Sequence, residues 1–304
     1  MFIYDYNSSL HKYKEVHDET GGRLKELSFQ YYDCCCGHTG YKIVSSTTRH
    51  HNQFTVVQCG KCGTLRINPY LTDAAIETYY KEIYGPVKRK NMTAEALFAR
   101  QSRSANDLLQ VIKPLAGKEA MILDYGSGAG GRMTALKADG YTNVHLFDYD
   151  KKYLEYGVSQ GFKAHQDGNR YDMITLSHVL EHVNMPAEFL QKLAKDYLKP
   201  DGKIYIEVPM FDNHVKLIGD FHLAHKFYFT QKSLIILAAL SGFSKVHEEE
   251  DVLVITPSST AIVVPEAGYA KALADSNALL KKARSKSRSI SRKLAIKRML
   301  SSRS

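Results

Sequence analysis

Two groups of residues in this chain of 304 have the types and spacing to do chemistry. The first is Leu123-Asp124-Tyr125-Gly126-Ser127-Gly128-Ala129-Gly130, an apolar run that enters a glycine-rich turn. Gly126 and Gly128 let a backbone turn tightly and approach a ligand without a Cβ in the way. Asp148 follows Gly128 by twenty residues, at the end of the next apolar run. A carboxylate there can accept hydrogen bonds from ribose hydroxyls. The second group is the cysteines. Cys59-Gly60-Lys61-Cys62-Gly63 has the two-residue gap and following glycine that aim two thiolates at one metal ion. Its partner half must come from Asp33-Cys34-Cys35-Cys36-Gly37-His38. Cys36-Gly37 fits, but the companion position is Asp33, so Cys34 is the expected substitute, with Asp33, Cys35 and His38 as competitors. His50 and His51 are further candidates. Zinc held by Cys34, Cys36, Cys59 and Cys62 would be structural, stabilising a small module that lacks a core of its own.

From Met121 onward the chain alternates short apolar runs with amphipathic stretches. That rhythm predicts an α/β fold with a Rossmann-like parallel sheet and helices on both faces. The glycine turn and Asp148 then fall at the carboxyl ends of the first two strands. Ahead of this core, LTDAAIETYYKEIYG predicts a helix capped by Thr72, and a second helical period runs over 94–113 to Pro114. The expected divisions are a zinc-knuckle module at 1–70, substrate-side helices at 71–115, the cofactor domain at 116–265 and a basic helical or disordered tail at 266–304.

The net charge of +9 comes from one place. Residues 281–304 hold ten Lys or Arg and no acid, leaving 31 basic against 32 acidic residues elsewhere. The body is therefore near neutral, and the global charge is weak support for a nucleic-acid-binding fold. The longest apolar run, Leu234 to Leu240, is too short to span a bilayer. The first residues lack the basic, apolar, small-residue order of a signal peptide. A cytoplasmic, reducing location is expected, where unpaired thiols and metal sites are the normal use of cysteine.

The spacing Gly-x-Gly-x-Gly, with Asp124 two residues before the first glycine, resembles the first motif of class I S-adenosylmethionine-dependent methyltransferases. Tyr171-Asp172-Met173-Ile174, His178-Val179-Leu180-Glu181-His182 and Leu198-Lys199-Pro200-Asp201-Gly202-Lys203 continue the resemblance in family order over roughly 90–245. The resemblance implies S-adenosyl-L-methionine as cofactor, with Asp124 at the methionine end and Asp148 at the ribose. It implies that Tyr125, Gly126, Ser127, Gly128 and Tyr149 surround the cofactor, with Ser177 and His178 beside it. Asp167 is either an adenine contact or a turn-builder with Gly168.

The cysteine knuckle, the Asn-Pro segment at 68–69 and the tyrosine-rich helix narrow the resemblance. They are similar to a group acting in sugar and polysaccharide biosynthesis, which includes C-methyltransferases of nucleotide-linked keto-sugars. In that group tyrosines before the core line the sugar site, and a Glu-His pair followed by Tyr-Phe supplies the base. Here His225, Tyr228 and Phe229 match, while the glutamate position is Ala224. The implied catalytic residues are His225, with His222 and His214 as alternates, and Tyr79 and Tyr80. The implied acceptor is a small molecule or glycan, most plainly a sugar, methylated at O or C. A rival reading is an RNA or protein methyltransferase whose 281–304 tail grips a polyanion; another is a non-catalytic scaffold. The same tail also suits an anionic membrane surface.

Overall fold

A computed structural model describes residues 27–45, 55–84, 92–213 and 221–301, with backbone alone for 288 and 290–301. The first 26 residues, His50, His51, His214 and 302–304 lie outside the described residues. No helix among those described is long and apolar enough to cross a membrane.

In chain order the elements begin with β1 (Phe29–Gln30), β2 (Tyr41–Ser45), β3 (Val56–Cys59), β4 (Leu65–Ile67), β5 (Tyr70–Leu71) and α1 (Asp73–Thr78). They continue with α2 (Ala94–Ser102), α3 (Ala105–Ile112), β6 (Ile122–Tyr125), α4 (Thr134–Ala138), β7 (Val144–Phe147) and α5 (Lys151–Ser159). Next come β8 (Lys163–Ala164), β9 (Tyr171–Ser177), α6 (Pro186–Tyr197) and β10 (Leu198–Glu207). The last are β11 (Phe227–Tyr228), α7 (Gln231–Leu240), β12 (Phe243–Glu249), β13 (Val252–Pro257) and α8 (Glu266–Ser301).

The chain divides into two compact units, Met1–Val87 with Pro209–Ile236 and Val264–Ser304, and Lys88–Val208 with Leu237–Val263. The divisions drawn from the sequence run consecutively along the chain. The units do not, because 209–236 and the C-terminal helix fold with the N-terminal residues.

The second unit is a seven-stranded sheet in the order β12-β13-β10-β9-β6-β7-β8. Strands β6 to β10 are parallel, and β13 and β12 close one edge antiparallel. Ile122, Leu146, Met173, Tyr205 and Val254 are buried in one apolar cluster with Leu108, Ile112 and Leu136. Apolar runs this continuous are what strands covered on both faces require. The helical period over 94–113 is interrupted: α2 and α3 are separate helices. Ser102 and Ser104 bond back to the carbonyls of Phe98 (2.9 Å) and Gln101 (3.4 Å), which competes with the helical ladder.

The first unit is built from shorter pieces. Its four-stranded antiparallel sheet runs β11-β4-β3-β2, and β1 pairs with β5. Thr72 caps α1 by accepting from the Ala75 amide, and the helix continues as a π-helical turn over Tyr79–Tyr84. Of the 266–304 segment, Glu266–Ser301 is helical, and its first half is part of this unit's core: Tyr269, Ala272, Ser276, Leu280 and Ala283 are buried at helical spacing. Ser276 Oγ donates to the Gly63 carbonyl and accepts from Gln58 Nε2, both at 2.7 Å. Helix α8 thus seals the second cysteine turn, and a Cβ on Gly63 would sit 2.9 Å from Ser276 Cβ.

Candidate functional site

In the second unit the strand order reverses between β6 and β9. Ligands of open parallel sheets bind beyond the carboxyl ends of the strands at such a point. Asp124, Tyr125 and the glycine turn leave β6 there, Ser177 and His178 leave β9, and Asp148 and Tyr149 follow β7.

Gly126, Gly128 and Gly130 have φ of 80°, 55° and 81°. Only glycine holds that region without strain. Every amide from Gly126 to Gly131 already has an acceptor within the protein. Gly126 and Ser127 donate to the Phe147 carbonyl (2.8 and 3.0 Å), and Gly130 to the Ser127 carbonyl (2.9 Å). Gly128 donates to Asp148 Oδ2 at 2.7 Å. Ala129 and Gly131 donate to Gln101 Oε1 at 3.2 and 3.3 Å. This turn therefore lacks the open row of N–H groups with which a dinucleotide or P-loop cradles phosphate. Asp148 also accepts from the Asp150 amide through Oδ1 (2.8 Å).

Asp124 is buried and accepts from Thr175 Oγ1 at 2.8 Å, across the reversal point. Burial pushes its carboxyl up to about 7; Thr175 and Arg132 pull it down, while Asp148 and Glu207 add to the rise. A cationic ligand group would restore the carboxylate.

Aromatic rings surround the end of β7. The Tyr125 ring lies 4.7 Å from Phe147 and 5.6 Å from Phe189, and its hydroxyl is 3.3 Å from that of the exposed Tyr149. Asp167 is fully exposed, 3.8 Å from His165 Nε2. His165 in turn bonds the Tyr171 hydroxyl through Nδ1 at 2.7 Å.

Beyond β9, His178 is a non-glycine residue with φ of 57°. Its Nδ1 lies 3.4 Å from Glu181 Oε1 and its Nε2 3.9 Å from Glu207 Oε1. The Glu181 carboxylate, with help from Glu207, holds the imidazole above its usual range. Glu207 Oε2 receives Arg132, the Tyr205 hydroxyl (3.0 Å) and the Ser177 hydroxyl (3.4 Å). Ser177 thus belongs to a polar network at the ends of β9 and β10.

The remaining sequence candidates lie in the first unit. Tyr79 is buried in its apolar core, whereas Tyr80 is part-buried and donates to the Ala224 carbonyl at 2.9 Å. The rings of His222 and His225 are 4.1 Å apart, and the Tyr228 hydroxyl donates to the His222 carbonyl at 2.9 Å. Sγ of Cys34 and Cys62 are 3.5 Å apart, those of Cys36 and Cys59 3.6 Å, and all four lie within 4.8 Å of one another. The Lys61 and Cys62 amides point at Cys59 Sγ (3.4 and 3.5 Å), and Thr64 Oγ1 is 3.0 Å from Cys62 Sγ. Metal–sulfur distances of about 2.3 Å give tetrahedral edges near ~3.8 Å, so the donor set has the size of a tetrathiolate site.

The profile of the methyltransferase domain family matches residues 97–248, half of the chain. The chain belongs to that family. It is an S-adenosylmethionine-dependent methyltransferase with an α/β fold. No curated protein sequence matches it significantly. Among solved structures, it is similar to the methyltransferase of a complex with the Haloferax volcanii Trm112 activator. That match has 13% identity and a TM-score of 0.43, covering 55% of this chain and 96% of that one. It is also similar to magnesium protoporphyrin IX methyltransferase from Synechocystis PCC 6803, solved with bound S-adenosylhomocysteine (14%, TM-score 0.45, 62% and 100% covered). A third is a Burkholderia thailandensis 1,6-didemethyltoxoflavin N1-methyltransferase (16%, TM-score 0.43, 68% and 96% covered).

Several residues of this methyltransferase's polar network give no motif signal. Gln101 sits inside an ordinary helix and Thr175 inside an ordinary strand; only folding brings them to Ser127 and Asp124. Glu207 directly follows the apolar Ile204-Tyr205-Ile206 run and ends its strand.

Proposed function

We propose that this methyltransferase transfers a methyl group to a sugar, nucleotide-linked or within a glycan, at oxygen or carbon. The observation that carries the cofactor half is Asp148, whose carboxylate ties the end of β7 to Gly128 of the glycine turn. In this reading Asp148 accepts the ribose hydroxyls, Asp124 takes the cationic methionine end, and the rings of Tyr125 and Tyr149 flank the adenine. S-adenosylmethionine supplies an already activated methyl on a sulfonium, so the protein contributes alignment, exclusion of water and one proton acceptor.

The sugar half rests on the resemblance and on the cluster of Tyr80, His222, His225 and Tyr228 within one unit. His225 takes the proton that leaves the acceptor oxygen or carbon as the new bond to the methyl forms and the methyl–sulfur bond breaks. With Ala224 in place of the acid, an oxygen acceptor, whose proton is less reluctant, suits His225 best. Cys34, Cys36, Cys59 and Cys62 hold a structural zinc ion, which closes the first unit and takes no part in the transfer.

The test is transfer of an isotopically labelled methyl from S-adenosylmethionine to a panel of nucleotide sugars, RNA and proteins, read by mass spectrometry. Label in a nucleotide sugar supports the reading; label confined to RNA or protein ends it. The charge of 281–304 favours a polyanionic surface as a second contact. Because α8 is buried as far as Ala283, the matching truncation removes only 288–304. Unchanged retention on anionic vesicles and RNA after that cut would remove this contact.

A further inference from the structure

The glycine turn is held from two sides, and one of them is a side chain with no assigned role. Asp148 secures Gly128 from the β7 side. Gln101, on the last turn of α2, secures the remainder: its Nε2 donates to the Ser127 carbonyl at 2.9 Å, and its Oε1 accepts from Ala129 and Gly131. Ala129 and Gly131 are buried, so these amides have no water to replace the glutamine. The approach is close. A Cβ on Gly128 would lie 2.8 Å from Gln101 Nε2, and one on Gly131 would lie 2.1 Å from the Phe98 carbonyl oxygen. Gly131 is therefore demanded by the backbone of α2, and Gly128 by its φ of 55°. Gln101 is one residue before the end of α2, and Ser104 donates to its carbonyl through both its amide (3.3 Å) and its hydroxyl (3.4 Å).

We propose that Gln101 is a positioning residue for the methyl donor: it acts through the backbone of residues 127–131 and fixes the turn in the form that receives the cofactor. Its planar amide matches a carbonyl and two amides at once, which needs a donor and an acceptor in one rigid group. An apolar side chain of the same length would fill the space, leave the buried amides of Ala129 and Gly131 unpaired and leave the Ser127 carbonyl with Gly130 alone. The proposal rests on the reading that this turn faces the cofactor.

The test uses the full-length protein and S-adenosylmethionine binding by calorimetry, with amide hydrogen exchange of 126–131 and the melting temperature recorded in parallel. Gln101→Met, which keeps the shape and loses the bonds, is expected to raise Kd about tenfold, the effect of one to two net hydrogen bonds. Exchange at Ala129 and Gly131 accelerates with it. Gln101→Glu keeps the acceptor for both amides and restores their protection and part of the affinity. Binding of the Met variant within twofold of the parent overturns the proposal, as does a Glu variant as impaired as Met. If Met substitution prevents folding, Gln101→Asn, one methylene too short to reach the turn, decides by the same tenfold criterion. Asp148→Ala separates the two readings. Loss of affinity there but not at Gln101 sinks this proposal alone; loss at neither sinks the assignment of the turn.

Discussion

In the unit that carries the glycine turn, parallel strands bury Ile122, Leu146, Met173 and Tyr205 in one continuous core, and the polar groups stand at the strand ends. In the unit that carries the cysteines, the sheet strands are five, four, three and two residues long and come from two distant stretches of the chain, 41–67 and 227–228. There the apolar cluster is assembled from loop and helix residues as much as from strands. The contrast shows two ways of fixing polar groups. One hangs them on a scaffold that is stable without them. The other makes them part of the scaffold, with four thiols occupying the centre of a small cluster containing Ile236, Tyr269 and Ala272.

The contrast breaks most directly at the thiols. With zinc held as proposed, the parent should carry one equivalent per chain, and Cys59→Ser with Cys62→Ser should abolish it and unfold the first unit. Structural zinc is worth about 10 kcal/mol or more in such modules. Limited proteolysis should then cut within the segments of the first unit while the 122–207 sheet stays protected; equal protection in both proteins would show that the thiols are not structural.

The next effect lies on the other side. Asp148→Ala removes a charged acceptor from Gly128 and Asp150 and from the ribose, and should weaken S-adenosylmethionine about 100-fold, since a charged hydrogen bond is worth roughly 1.5–3 kcal/mol. The fold should persist, because the sheet does not depend on it. Calorimetry beside a melting curve checks both halves.

A smaller effect follows from Asp124, whose carboxyl is raised from 3.8 to about 7 by burial. The folded state holds that proton more tightly than the unfolded chain. This group's contribution to stability is therefore full below about pH 4 and is lost as pH rises through about 7. Cofactor binding in the proposed pose runs the opposite way: the cationic methionine end would take the carboxylate, so affinity should fall about tenfold per pH unit below 7. Asp124→Asn should flatten that slope; a parent protein with no slope between pH 5.5 and 7 would dismiss the assigned contact.

The smallest effect tests the seal on the cysteine turn. Gly63 has φ of 75° and no room for a Cβ against Ser276. Gly63→Ala should cost about 1–2 kcal/mol, with cofactor affinity at the other unit unchanged.

Much of the second unit was legible because its signals are local. The apolar runs, the glycines and Asp148 lie close together in sequence, and alternation with helices allows few topologies. The first unit was less legible for the same reason inverted. Cys36, Cys59 and Cys62 were legible by spacing and Cys34 only as the preferred of several candidates, and nothing local announced that 209–236 and α8 would join them. The basic composition of the C-terminal helix also hid the buried stripe of Tyr269, Ala272, Leu280 and Ala283.

The sequence by itself determined the parallel α/β core, the glycine turn and three of the four clustered thiols, since each depends on residue type at short spacing. Tertiary structure alone decided which side chains complete them. Gln101 meets residues 127–131, Thr175 meets Asp124, and Ser276 meets Gly63. Each of those contacts pairs a buried backbone or carboxylate group with a side chain distant in sequence. Such a partner is chosen by the geometry of packing and by the cost of leaving the buried group unpaired, neither of which has a period or a motif.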